Sequence, residues 1–170
     1  MKGLRIVQIA GPAEVDTVNA QLEAVSDGAA HEWWSVLGYV ESIGDLLAAS
    51  DLVVCRAGAT TLAEVSALGK PSVLVPYPFA TDDHQTHNAE PFLHAHAALV
   101  FADGDLDAPE FAAALLGLLD DPEKRRKMAH AASTLGRPGA AGAVLETVTE
   151  AASFSPWRRD TAKQRVGRVA

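Results

Sequence analysis

Between Asp51 and Asn88 the chain reads DLVVCRAGATTLAEVSALGKPSVLVPYPFATDDHQTHN. That order of residues leaves few folds open. An apolar run, Leu52 to Cys55, meets a glycine turn that opens into a helical stretch, Ala59 to Leu68. Gly69 stops this helix as a glycine just past a helix end does. A second apolar run, Ser72 to Val75, follows Pro71, and a polar loop then leads to a helix over Gln85 to Ala95. Short strands alternating with helices build a mostly parallel sheet covered on both faces, so the chain is expected to be α/β.

The rest of the sequence repeats the alternation without an internal repeat. Strands are expected at Leu4 to Ala10, ended by Gly11-Pro12, at Ser35 to Val40 and at Ala98 to Phe101. Helices are expected over Ala13 to Val25, Ile43 to Ala49 and Ala108 to Leu119. The first has Val15, Val18, Leu22 and Val25 on one face. Asp121-Pro122 begins a further helix, because Pro is tolerated at the first helical position. Gly136 to Gly139 breaks it, and Ala140 to Ala152 is the last helix. Residues 1–152 are therefore expected to form one domain.

The remainder, from Ser153, changes character. It carries five of the fourteen basic residues, Arg158, Arg159, Lys163, Arg165 and Arg168, and little periodicity. It is expected to be a flexible tail, with contact to an anionic membrane surface through those residues and Trp157 as the alternative.

Composition excludes several function classes. A formal charge of -8 argues against bulk nucleic-acid binding, which needs basic surface to displace counterions. The single cysteine, Cys55, permits no internal disulfide and fits a reducing compartment. No apolar run approaches the ~20 residues that span a bilayer, so a cytoplasmic location with at most peripheral membrane association is expected.

Three groups of residues carry chemistry. Gly58 lies between a strand and a helix, so the free N–H groups of Ala59, Thr60 and Thr61 would face a ligand and the helix dipole would favour a diphosphate. An ordinary βα turn has the same residues. Glu64 lies within the first two turns of that helix, where its carboxylate could accept from both hydroxyls of a ribose; a solvated helix acid occupies such positions too. His84, Gln85 and Asn88 follow a strand at the carboxyl edge of the sheet, where open α/β folds bind ligands. Gln85 and Asn88 share a helix face by their i, i+3 spacing, and their amides both donate and accept, which suits sugar hydroxyls. Asp82 or Asp83 is expected to cap the helix. No metal site and no cofactor is expected: His84 and His87 lack a matched second pair.

The segments GYVESIGDLLAASDLVVCRAGATTLAEVSALGKPSVLVPYP and DDHQTHNAE, in this order and spacing, resemble the C-terminal domain of the MurG family. Members are bacterial transferases that add N-acetylglucosamine from its UDP carrier to lipid I, making lipid II. The resemblance runs from about Leu4 to about Ala152. It implies the C-terminal half of a GT-B fold, two Rossmann-like domains with the donor in the cleft, and inverting attack by an acceptor hydroxyl on the anomeric carbon. It also implies residue roles. Val40 would meet the uracil through its backbone, with Ile43 packing nearby. Gly58, Ala59, Thr60 and Thr61 would lie along the diphosphate, and Glu64 would bind the ribose. His84 and Gln85 would face the N-acetylglucosamine hydroxyls, and Asn88 would support the loop.

Against the family pattern the chain lacks the acceptor domain and the Gly-Gly-Ser loop that opens this domain. Three expectations follow. The catalytic base is none of these residues and belongs to a missing or separate N-terminal domain, which would also bring the lipid-linked acceptor. The first strand is missing, so Leu4 to Ala10 and Leu52 to Cys55 face a gap with unpaired backbone. The isolated chain is inactive in lipid II synthesis. Competing readings are another GT-B glycosyltransferase, a nucleotide-sugar epimerase fragment, or a noncatalytic UDP-sugar-binding module.

Overall fold

The computed structural model describes residues 3–26 and 29–153. The expected basic tail lies, from residue 154 on, outside the described residues. The chain forms two compact units, Met1–Ser50 and Asp51–Ala170.

The first unit contains β1 (Ile6–Ile9), α1 (Val15–Ser26), β2 (Trp34–Leu37) and α2 (Ile43–Ala49). β1 and β2 pair in parallel, Ile6 opposite Trp34 and Ile9 opposite Leu37. The strand ends are tied by a glycine pair. Gly11 takes φ +87°, and a Cβ on Gly38 would lie 3.2 Å from the Pro12 Cα. The turns leaving β1 and β2 therefore pack backbone to backbone, which a larger residue at position 38 would prevent. Trp33 and Trp34 stack at a tilt, 5.8 Å between centroids. The Trp34 indole N–H donates to Gln8 Oε1 at 3.2 Å.

The second unit contains β3 (Val53–Cys55), α3 (Ala59–Ala67), β4 (Ser72–Leu74), α4 (His84–His94), β5 (Ala98–Val100), α5 (Pro109–Asp120), α6 (Pro122–Leu135) and α7 (Ala140–Ser153). Its sheet is parallel, in the order β3-β4-β5. The central strand β4 is buried along its whole length, whereas Val54 on β3 is half exposed. Val73, Leu118 and Met128 form the centre of the core, with Leu52, Leu99, Phe101, Phe111 and Leu115 against them. Phe101 and Phe111 meet edge to face at 5.2 Å, the arrangement their ring quadrupoles favour. β1 and β3 are edge strands of their respective sheets.

Two glycines set where α3 lies. Gly69 sits at φ +59° just past its end; its N–H donates to Ser66 O at 3.1 Å and the Lys70 N–H donates to Val65 O at 2.9 Å. That pair of bonds is a Schellman motif, and it satisfies two of the helix's terminal carbonyls. On α6's far side, Gly136 approaches so closely that a Cβ would come within 2.6 Å of Ser66 O. At the α5–α6 corner, the Asp121 carboxylate accepts the Lys124 N–H at 2.9 Å, the helix start expected of Asp121-Pro122. Arg125 donates to the terminal α5 carbonyls of Leu118 and Leu119 at 2.5 and 2.7 Å.

Candidate nucleotide-sugar site

The strand β3 ends at Cys55, and α3 starts at Ala59 with Gly58 as its N-cap. Gly58 has φ -69° and ψ 140°, a conformation open to any residue, and a Cβ there would meet only the Thr61 hydroxyl, at 4.0 Å. The fold itself therefore does not require glycine at this position. The first intrahelical bond runs from Leu62 N to Gly58 O, 3.0 Å. The N–H groups of Ala59, Thr60 and Thr61 have no partner among the described residues, and Ala59 and Thr60 are exposed. These are the orphan donors of a helix start, with the positive end of the helix dipole behind them. Glu64 is half-buried on the same helix and makes no hydrogen bond or ion pair among the described residues. A carboxylate in that state is free to accept from a ligand.

Helix α4 holds this turn in place. The Gln85 side-chain carbonyl accepts the Ala57 N–H at 3.1 Å and the Tyr77 N–H at 3.0 Å. One turn on, the Asn88 side-chain amide donates to Ala57 O at 3.1 Å. Both polar groups of the buried Ala57 peptide are thus gripped from one helix face. Ala57 immediately precedes Gly58, so α4 fixes the direction in which the α3 amides point. Gln85 and Asn88 share the helix face read from their i, i+3 spacing, and both reach the turn before Gly58. The expectation that Gln85 both donates and accepts toward a sugar is corrected. Both lone pairs of its oxygen are spent on backbone, so only its NH2 group remains, as a donor.

The capping role expected of Asp82 or Asp83 is also corrected. Asp83 is the N-cap residue by position, but its side chain accepts the Thr86 hydroxyl at 2.6 Å and caps no backbone N–H. Both aspartates lie in the left-handed region, at φ 53° and 52°, within the single 3-10 turn at Thr81–Asp83. Such a conformation costs roughly 1–3 kcal/mol per non-glycine residue and clusters at functional loops. It swings the chain so that His84 opens α4. The His84 Nδ1 lies 2.7 Å from Thr81 O. With a carbonyl as its partner, Nδ1 carries a proton and donates.

A residue passed over in the sequence is Arg56. Its guanidinium reaches Asp103 Oδ1 at 2.5 Å, approaches the Val75 and Pro76 carbonyls at 3.4 Å each, and lies 5.5 Å from the Tyr77 ring centroid. The available signal was an arginine set between an apolar strand and a glycine turn. Cys55 beside it has its thiol pushed up to about 11 by burial, consistent with a packing role rather than a nucleophile. Val40 and Ile43 belong to the first unit, in the segment after β2 and at the first turn of α2, both half-buried. Gly58, Gln85 and Asn88 are brought together around Ala57. Among the described residues, no group of three or more His, Cys, Asp or Glu side chains could hold a metal ion.

Residues 1–144 match the family model of the glycosyltransferase family 28 C-terminal domain. The chain belongs to that family. Glycosyltransferase family 28 relatives include a UDP-N-acetylglucosamine--N-acetylmuramyl-(pentapeptide) pyrophosphoryl-undecaprenol N-acetylglucosamine transferase from Desulfitobacterium hafniense, 40% identical over 151 residues, covering 89% of this chain and 41% of the relative. The enzyme of the same name from Nitratidesulfovibrio vulgaris is 44% identical over 124 residues, covering 73% of this chain and 34% of the relative. That of Chlorobium phaeobacteroides is 50% identical over 110 residues, 65% of this chain and 30% of the relative. Among solved structures, Acinetobacter baumannii MurG superposes with a TM-score of 0.74 at 30% identity, covering 86% of this chain and 41% of that one. The Rossmann-like, C-terminal-half fold implied by the resemblance is thereby supported. The chain spans about two fifths or less of the length of these relatives.

Proposed function

We propose that this chain is the donor-binding part of a glycosyltransferase that takes N-acetylglucosamine from UDP-N-acetylglucosamine and delivers it to lipid I, forming lipid II in peptidoglycan synthesis. The observation that carries the reading is the Gly58 turn. Three unpartnered amides and an unpartnered Glu64 project from one helix, and Gln85 and Asn88 hold the peptide before it. The names of the relatives supply the donor sugar and the lipid-linked acceptor.

In this reading Ala59, Thr60 and Thr61 donate to the diphosphate and Glu64 accepts from the ribose hydroxyls. The Gln85 NH2 group donates to a sugar hydroxyl, and His84 Nε2 accepts from another. The acceptor hydroxyl attacks the anomeric carbon, and the bond from that carbon to the diphosphate oxygen breaks. UDP leaves with the electron pair, and the hydroxyl proton passes to a base outside this chain. The α3 amides stabilise the charge that develops on the leaving diphosphate, which is electrostatic stabilisation by groups already in place. The substrate's undecaprenol tail sets the reaction at the inner face of the plasma membrane. No described helix is long and apolar enough to cross a membrane.

Titration calorimetry of the chain with UDP and with UDP-N-acetylglucosamine tests the reading. Saturable heat with both, and tighter binding of the sugar nucleotide, is expected. No heat with either overturns it.

A further inference from the structure

We propose that Arg56 is a positioning residue for the sugar-reading loop, a role that rests on the nucleotide-sugar reading above. Three loops leave the carboxyl ends of β3, β4 and β5, and one guanidinium touches all three. Arg56 itself lies on the first. Its NH1 approaches Val75 O and Pro76 O on the second, its charge lies over the Tyr77 ring, and it pairs with Asp103 on the third.

Stability alone does not account for the arrangement. Both side chains are partly open to solvent, 46% for Arg56 and 37% for Asp103, and such pairs contribute little to folding. Yet the Asp103 oxygen that faces Arg56 is buried and has no other partner among the described residues. Without the arginine that oxygen loses its one charged partner, and water must take the guanidinium's place between the two loops.

The second loop links this contact to the ligand. Tyr77 presents its ring to Arg56 and its N–H to Gln85. Arg56 thus holds Tyr77 from one side while Gln85 holds it from the other. The same Gln85 oxygen takes the Ala57 N–H, one residue from Arg56 along the chain. Arg56, Ala57, Gln85 and Tyr77 therefore close a ring of contacts. If Tyr77 drifts, the Gln85 amide loses one of the two bonds that fix its direction, and its NH2 group no longer points where a sugar hydroxyl can use it. The diphosphate and ribose groups on α3 touch that ring only through Ala57, whose carbonyl Asn88 holds independently of Tyr77. Arg56 should therefore govern recognition of the sugar more than of the nucleotide.

The test compares UDP with UDP-N-acetylglucosamine by calorimetry on the full chain and its variants. Arg56→Ala is expected to weaken the sugar nucleotide by about tenfold, the order of one lost hydrogen bond, and UDP by less than about threefold. Arg56→Lys keeps a charge for Asp103 but lacks the planar fork, so it should recover part of the loss. Asp103→Asn, which preserves shape, serves if Arg56→Ala fails to fold, and it should act in the same direction. Hydrogen exchange of the Tyr77 amide without ligand should be faster in both. Equal loss for both ligands, no loss for either, or unchanged Tyr77 exchange overturns the positioning role. A wild-type chain that binds neither ligand overturns the nucleotide-sugar reading, and this proposal with it.

Discussion

The side-chain carbonyl of Gln85 accepts the Ala57 N–H at 3.1 Å across 28 positions of sequence. This bond settles which end of the Gln85 amide is left for a ligand. Rotating the amide would set its NH2 donors against the N–H groups of Ala57 and Tyr77, so the flipped state is excluded by donor–donor conflict. A residue type chosen for versatility is thereby reduced to a fixed donor, and the glycine turn and the polar loop become one rigid piece.

Substitution at Gln85 separates its two duties. Gln85→Glu keeps an oxygen for both backbone amides but removes the NH2 donors, so folding should survive while sugar-nucleotide binding falls. Gln85→Leu removes the acceptor and leaves the N–H of the buried Ala57 unpaired, at a cost of about 1–3 kcal/mol. Urea denaturation should place the leucine variant below the glutamate variant in midpoint. The reverse order would mean that the two backbone bonds carry little weight.

Glu64 offers the opposite case. It has no hydrogen-bond or ion-pair partner among the described residues, so Glu64→Ala should leave the unfolding midpoint nearly unchanged. UDP binding should weaken by about 1–3 kcal/mol, the value of one or two ribose hydrogen bonds to a carboxylate. Unchanged affinity in calorimetry removes Glu64 from the site.

Legibility in the sequence followed the range of the forces involved. Helix α2 was read to the residue, Ile43–Ala49, and α3 was read to its first residue and its stopping glycine, because turn and cap chemistry act within a few positions. The shared face of Gln85 and Asn88 was legible because helical spacing is local. The direction of the Gln85 amide was not, since it depends on a peptide brought close only by tertiary packing. The left-handed pair at Asp82 and Asp83 was missed because aspartates are also ordinary helix caps, and composition does not separate the two. Arg56 escaped for a further reason: its partners lie on two later loops.

The pH response of Cys55 follows from its burial. The folded thiol titrates near 11 against an ordinary 9.0. Above 9.0 the unfolded chain loses this proton first, so it binds fewer protons than the native state and stability falls as pH rises. The contribution is complete below pH 9.0 and declines across the interval up to about 11. Cys55→Ala should flatten this part of the stability–pH curve. The native thiol should also react slowly with an alkylating reagent at pH 8 and rapidly once denatured. Fast labelling of the native chain would contradict the shift.

Two glycines provide a paired test of what the fold needs and what a ligand needs. At Gly136 an added methyl would meet Ser66 O at 2.6 Å, a backbone atom that cannot step aside without moving α3. Gly136→Ala should therefore destabilise the chain by about 1–3 kcal/mol or more through overpacking. At Gly58 the added methyl enters open space with an ordinary φ, so Gly58→Ala should change the unfolding midpoint little. Its methyl would nevertheless stand beside the amides of Ala59, Thr60 and Thr61, which donate to a diphosphate in the proposed function. UDP affinity should drop at least tenfold, the cost of about 1.4 kcal/mol or more. Thermal unfolding and UDP titration on the two variants should thus give crossed results: position 136 chiefly lowers the midpoint and position 58 chiefly lowers the affinity. Retention of UDP affinity in Gly58→Ala would move the diphosphate away from this helix start, and with it the reason that glycine stands there.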